Sequence, residues 1–98
     1  MNRYEVEFSE KAIADLDASF EWGCEKWGAV QAATWYFEMR DKINERLSIS
    51  PLGCPLSPQY ERYKAEARVL VIGRYNVVFH LKGKLVTVLH IRGPFNKR

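Results

Sequence analysis

Tyr75, His80 and His90, with Arg74, Lys82, Lys84 and Arg92 around them, are the residues of this 98-residue chain whose types suit phosphodiester chemistry. Cleaving RNA at its 2′-hydroxyl takes a base, an acid and cations about the phosphate, and positioned acid–base groups contribute about 10²–10⁴-fold. Histidine titrates near neutrality and is the first candidate. The spacing tells against the two histidines as a pair. If the turn between their strands has two residues, strict alternation puts His80 and His90 on opposite faces of a sheet. If it has three, they share a face but stand about four residues apart along the strand, roughly 13 Å. Neither arrangement lets both reach one phosphate. The carboxylates cluster elsewhere, at spacings that suit solvated helix faces. Ser/His/Asp and phosphate-loop patterns are absent, and no CxxC or HxxxH spacing exists, so no metal and no cofactor is expected. Cys24 falls on a helix face and Cys54 in a loop, and a reducing compartment argues against joining them.

The charge is unevenly placed. The net charge is +3, yet from Ala67 to Arg98 there is no Asp or Glu, while Arg68, Arg74, Lys82, Lys84, Arg92, Lys97 and Arg98 all fall there. Between Ser9 and Ser50 stand Glu10, Asp15, Asp17, Glu21, Glu25, Glu38, Asp41 and Glu45. One side of the molecule is therefore electropositive and suits nucleic acid, ribosome or an acidic protein partner. An apolar content of 47% with 13% aromatics excludes a disordered chain. No apolar run is long enough to span a membrane. The first ten residues lack an apolar signal segment, so a cytoplasmic location is expected.

The elements that must position these residues can be read along the chain. Tyr4, Val6 and Phe8 alternate with Glu5 and Glu7, a short strand. Ser9 is an N-cap, with Glu10 in the first helical turn. A helix follows from about Glu10 to Trp27, with Ile13, Leu16, Phe20, Cys24 and Trp27 as its apolar stripe. Gly28 is read as a left-handed C-cap, and a second helix from about Ala29 to Ser48 folds back on the first. Val30, Ala33, Phe37 and Arg40 lie on one line of it, and Ala32, Tyr36, Met39, Ile43 and Leu47 fill the next. Prolines and glycine make Ser50 to Tyr63 a loop. Three strands follow, near Ala67–Ile72, Tyr75–Leu81 and Leu85–Arg92, with turns at Gly73-Arg74 and around Lys82-Gly83-Lys84. The expected fold is a single α+β domain over residues 1–98, ordered β-α-α-β-β-β. An N-terminal strand joins the edge or the centre of a three-stranded antiparallel meander, and the helical hairpin covers one face.

In the third and fourth strands both faces carry apolar residues. Tyr75, Val77, Phe79 and Leu81 point one way and Asn76, Val78 and His80 the other; Leu85, Leu89 and Ile91 oppose Val86, Val88 and His90. Two helices cover one face only. The second is hidden either by another chain or by sheet curvature and the long loop. Trp22 and Trp35, off the helix stripes, are assigned to core packing across the hairpin, with an interface as the alternative.

Six segments, in this order, resemble the RelE/ParE superfamily of toxins from bacterial type II toxin–antitoxin systems. They are Val6-Glu7-Phe8-Ser9-Glu10-Lys11-Ala12 with Asp15-Leu16; Trp27-Gly28 followed by Gln31-Ala32-Ala33; Ile43 through Leu47 leading into Pro51-Leu52-Gly53; Arg68-Val69-Leu70; Gly73-Arg74-Tyr75-Asn76-Val77-Val78-Phe79; and Val88-Leu89-His90. RelE-like members cut mRNA on the ribosome. They carry an arginine directly after the tyrosine of the third strand, basic residues just after the last strand, and a further tyrosine. Here the first position is Asn76, which cannot neutralise a phosphate as arginine does. Arg92 and Lys97 stand where the basic residues fall, but no tyrosine follows Tyr75.

The Trp27-Gly28 hairpin, Arg68 and Val88-Leu89-His90 are closer to ParE-like members, which inhibit DNA gyrase by binding. The resemblance thus implies a non-enzymatic gyrase inhibitor, silenced by a cognate antitoxin that lays a helix along the hairpin and adds a strand to a sheet edge. Arg68, Arg74, Arg92 and Lys97 would be its target contacts, with no membrane partner and no sequence-specific nucleic-acid binding. The alternative is a ribosome-dependent mRNA endonuclease using Tyr75, His80, His90 and Arg92. A third reading is a member that binds its antitoxin and poisons nothing.

Overall fold

The structure, a computed structural model, describes residues 3–57 and 66–93. Its elements are β1 (Glu5–Phe8), α1 (Glu10–Trp27), α2 (Ala29–Ile49), β2 (Ala67–Ile72), β3 (Tyr75–Lys82) and β4 (Leu85–Arg92). A short 3-10 turn, Pro51–Gly53, follows α2. The fold is α+β, as expected, and the sheet order is β1-β4-β3-β2. The three later strands form the antiparallel meander. β1 takes the edge, parallel to β4, with Val6 beside Val86 and Phe8 beside Val88. The opposite edge, along β2, is covered by the chain after the 3-10 turn: Leu56 bridges Arg68, Val69 donates to the Pro55 carbonyl and Ser57 to that of Ala67.

Both helices pack on the same face of the sheet. Ala12 and Leu16 from α1 and Met39, Ile43 and Leu47 from α2 meet Leu70, Tyr75, Val77, Phe79, Val86, Val88 and Ile91. Of the α2 line Ala32, Tyr36, Met39, Ile43 and Leu47, all but the half-buried Tyr36 are buried, while Val30 and Phe37 on the neighbouring line are 81% and 62% exposed. In α1 the expected stripe is displaced. The buried positions are Ala12, Asp15, Leu16, Ser19 and Gly23, and Ile13 and Trp27 are exposed. Small residues face inward because the helices approach closely: a Cβ on Gly23 would stand 3.3 Å from that of Ala32. Asp15 and Ser19 are buried because each is hydrogen-bonded there.

The helices are joined by Gly28 alone, at φ 96°, ψ 158°. This is a positive-φ conformation that glycine adopts without penalty, but not the left-handed helical cap expected. Its N–H donates to the Cys24 carbonyl, and its own carbonyl accepts from Ala32. α1 begins at Ser9, whose hydroxyl oxygen accepts from the Ala12 N–H at 3.0 Å, as an N-cap should.

Two residues, Gly83 and Lys84, turn β3 into β4, since Lys82 pairs with Leu85. Strict alternation then fails within β4. Phe79 pairs with Val88 but Val78 pairs with His90, so Leu89 is an extra residue, a β-bulge. The bulge shifts the parity of the remainder, and Ile91 joins Val86 and Val88 in the core instead of opposing them. The Leu89 carbonyl accepts from the Ser9 hydroxyl at 3.2 Å. On the face away from the helices, Val78 and Ala67 are buried, whereas Asn76, Lys82, Glu5, Glu7 and Val71 are exposed.

Candidate functional site

The residues suited to phosphodiester chemistry are scattered by the fold. Tyr75 opens β3 on the helix-facing side and is 3% exposed. Its hydroxyl donates to the Ser19 hydroxyl at 3.2 Å, its ring leans on Trp35 at 5.5 Å, and the Gly93 backbone lies against it so closely that a Cβ there would stand 2.4 Å from ring carbons. Burial raises the phenol above its ordinary value, and the Ser19 hydrogen bond offsets part of that rise. The proton of Tyr75 is therefore held in the core. His80, five residues on, belongs to the opposite face and stands opposite Thr87.

The bulge places His90 opposite Val78, two residues along β3 from His80, so neither expected arrangement of the histidines is realised. Its Nδ1 lies 3.6 Å from Asp15 Oδ2 on α1. That same carboxylate oxygen accepts the Ile91 N–H at 2.9 Å. Pairing of β1 with β4 stops at Phe8 and Val88, and Asp15 supplies the acceptor where the ladder runs out. Lys11, one turn earlier, reaches the other carboxylate oxygen at 3.1 Å. The sequence places Asp15 among solvated helix acids; its burial comes from a contact 76 positions away, which local periodicity does not carry.

Of the expected target contacts, Arg68 is largely committed to structure. Its Nη1 donates to the Cys54 carbonyl at 2.7 Å and its Nη2 lies 3.6 Å from Glu66. Cys54 and Cys24 are both free thiols. Burial raises the Cys54 thiol against the opposing pull of Arg46 and Arg68. Arg74, in the β2–β3 turn, and Arg92, paired opposite Asn76, are exposed at one end of the sheet. Lys97 lies outside the described residues.

What the arrangement offers is contact surface. Outside the hairpin, Asp17, Phe20, Ala33, Tyr36 and Phe37 line an apolar cavity of about 220 Å³. At the β2–β3 turn a second cavity of about 320 Å³ gathers Trp35 and Lys42 of α2 with Arg74 and Tyr75. Trp22, by contrast, packs edge-on against Trp27 at 5.5 Å. Among the described residues no three His, Cys, Asp or Glu side chains gather to hold a metal, and no helix is long and apolar enough to cross a membrane.

The sequence model of one family, ParE toxin of type II toxin-antitoxin system, parDE, matches residues 6–93. Among solved structures, the chain is similar to one from the chromosomal ParDE TA system from P. aeruginosa, with TM-score 0.74 and 21% identity over 92% of this chain and 95% of that one. At that identity the likeness is one of fold. No curated protein matches the chain.

Proposed function

The chain belongs to the ParE toxin family of type II toxin–antitoxin systems, and on that premise we propose that it inhibits DNA gyrase by binding and is silenced by a cognate antitoxin. The observation that carries the choice of binding over RNA cleavage is Tyr75. Its hydroxyl is bonded to Ser19 inside the core, and the next residue is Asn76, where RelE-like nucleases carry arginine. Among the described residues no base, acid and cation converge on one accessible point. Arg74 and Arg92 are the gyrase-facing cations, with Lys97 as the third. Arg68 serves chiefly to hold the Cys54 loop against β2.

The antitoxin lays an apolar helix face along the outside of the hairpin, over Phe37, Val30 and the cavity between Phe20 and Tyr36. Phe37 and Val30 stand on one line of α2, at the spacing a docked helix reads. Strand addition falls at β1, because the β2 edge already carries the bridge from Leu56.

The test is supercoiling by purified gyrase, with the chain alone and then with its antitoxin. Inhibition or trapped cleaved DNA, relieved by the antitoxin, is the expected result. Unchanged supercoiling by folded chain that still binds its antitoxin would overturn the gyrase reading.

A further inference from the structure

The cavity at the β2–β3 turn has a larger neighbour of about 570 Å³ along the flank of α2. The two share Trp35 and Glu38, and the second runs on past Thr34 to Trp27. We propose that this groove holds a nucleotide unit, its base against the Trp35 indole and its phosphate between Lys42 and Arg74. The inference goes beyond the gyrase reading and needs only the isolated chain.

Three observations converge on it. Trp35 is half-buried, and its contact with the core ring of Tyr75 fixes the indole while it still lines both cavities. A fixed aromatic surface stacks a base with little loss of side-chain freedom. Lys42 and Arg74 are brought to one wall from α2 and from the turn. Both are exposed, and neither enters an ion pair among the described residues. The smaller cavity alone falls in the range of small-ligand sites, roughly 300–1,000 Å³.

Glu38 sets the polarity. It lies between Trp35 and Lys42 on α2, three residues after one and four before the other. Its charge opposes a phosphate beside it, which leaves the Lys42–Arg74 end for the anion. The shared chemistry is a stacked base with an attached phosphate, whether a free mononucleotide or one unit of a single strand. A paired base inside a duplex has no free face to offer Trp35.

The full chain, labelled with ¹⁵N, is titrated with dAMP, with a five-nucleotide DNA single strand, with the abasic form of that strand, and with a short duplex. The expected result is a shift of the Trp35 indole resonance with dAMP and with the single strand. The abasic strand should bind about tenfold more weakly or worse. Arg74→Ala, at an exposed turn position that does not threaten folding, should weaken single-strand binding about three- to tenfold at low salt. It should also lower the slope of log affinity against log salt by about 0.7. Glu38→Gln should tighten binding.

A silent Trp35 resonance with both nucleotide ligands overturns the proposal. So does equal affinity for the abasic strand and the duplex, which reduces the effect to backbone attraction. Occupation of the groove by an acidic aromatic peptide that dAMP fails to displace would assign it to a protein segment and also sink the proposal. A chain that inhibits gyrase yet leaves nucleotides unbound keeps the gyrase reading and loses this one.

Discussion

At the residue scale, Asp15 and Tyr75 are the polar groups whose removal separates structure from function. Asp15 holds the Ile91 N–H at 2.9 Å in a place where the β1 ladder has ended. Its pair with Lys11 contributes little, since the lysine side chain is 61% exposed. Asp15→Leu leaves the buried Ile91 N–H without its acceptor and should cost about 1–3 kcal/mol. Asp15→Asn keeps an acceptor and should cost less; urea midpoints of the two variants rank them. Tyr75→Phe keeps the ring between Trp35 and Gly93 and deletes the Ser19 hydrogen bond, at about 0.5–1.5 kcal/mol. If the toxin acts by binding, gyrase inhibition by Tyr75→Phe equals that of the parent; a tyrosine used in RNA cleavage would be lost with its hydroxyl.

The same phenol gives a pH prediction. Its folded pKa is raised above the ordinary tyrosine value near 10. As pH rises through that value, the unfolded chain releases the proton while the folded chain retains it. The unfolded state then binds fewer protons, so stability falls. The parent should lose stability above about pH 10 through this group, whereas Tyr75→Phe should show a shallower decline in urea titrations across that range.

At the scale of elements, the bulge at Leu89 decides which face of β4 is core. Deleting Leu89 restores strict alternation. Val88, His90 and Ile91 would still stand opposite Phe79, Val78 and Val77, so Ile91 stays inward and the deletion should cost only about 0.5–1.5 kcal/mol for the lost Ser9–Leu89 hydrogen bond, which thermal unfolding would read. Nothing in Val88-Leu89-His90-Ile91 signals a bulge: no glycine or proline interrupts the run, and the irregularity is fixed from outside, by the Ser9 hydroxyl on the Leu89 carbonyl. The order of elements and the places of the turns were legible, because turn residues and periodicity are local properties, whereas the length of the β3–β4 turn was left open between two and three residues. The buried face of α1 was not. Counting apolar residues favours Ile13 and Trp27, whereas close approach of the helices selects Ala12 and Gly23, and long-range hydrogen bonds bury Asp15 and Ser19. For the site, Arg74 and Arg92 were readable as cations in an acid-free stretch. The convergence of Arg74 with Trp35 and Lys42 was not, since it joins α2 to a turn some thirty residues later.

At the scale of the whole molecule, the segregation of charge separates two contact surfaces. The hairpin carries the acids and the exposed apolar line of Val30 and Phe37, and the sheet end carries Arg74 and Arg92 in a segment without any carboxylate. On the proposed reading, the partner attracted by the cations is not the one that buries the phenylalanine. Phe37→Ser removes a side chain that is 62% exposed, so stability should change by no more than about 0.5 kcal/mol. Loss of an interface anchor should nevertheless weaken antitoxin binding about tenfold or more, with gyrase inhibition retained. The double variant Arg74→Ala, Arg92→Ala should do the opposite. Removing two rim cations chiefly slows association and flattens its salt dependence, so inhibition should require several-fold more protein at low salt and converge on the parent near 0.3 M, where exposed charges are largely screened. Antitoxin affinity should remain. A calorimetric titration of each variant with the antitoxin, run beside the supercoiling assay, measures both arms. If one substitution impaired both activities equally, gyrase and antitoxin would share one surface, and neutralisation would be direct competition for it. If the arms separate as argued, the antitoxin silences the toxin from the hairpin, with the cationic end of the sheet left uncovered.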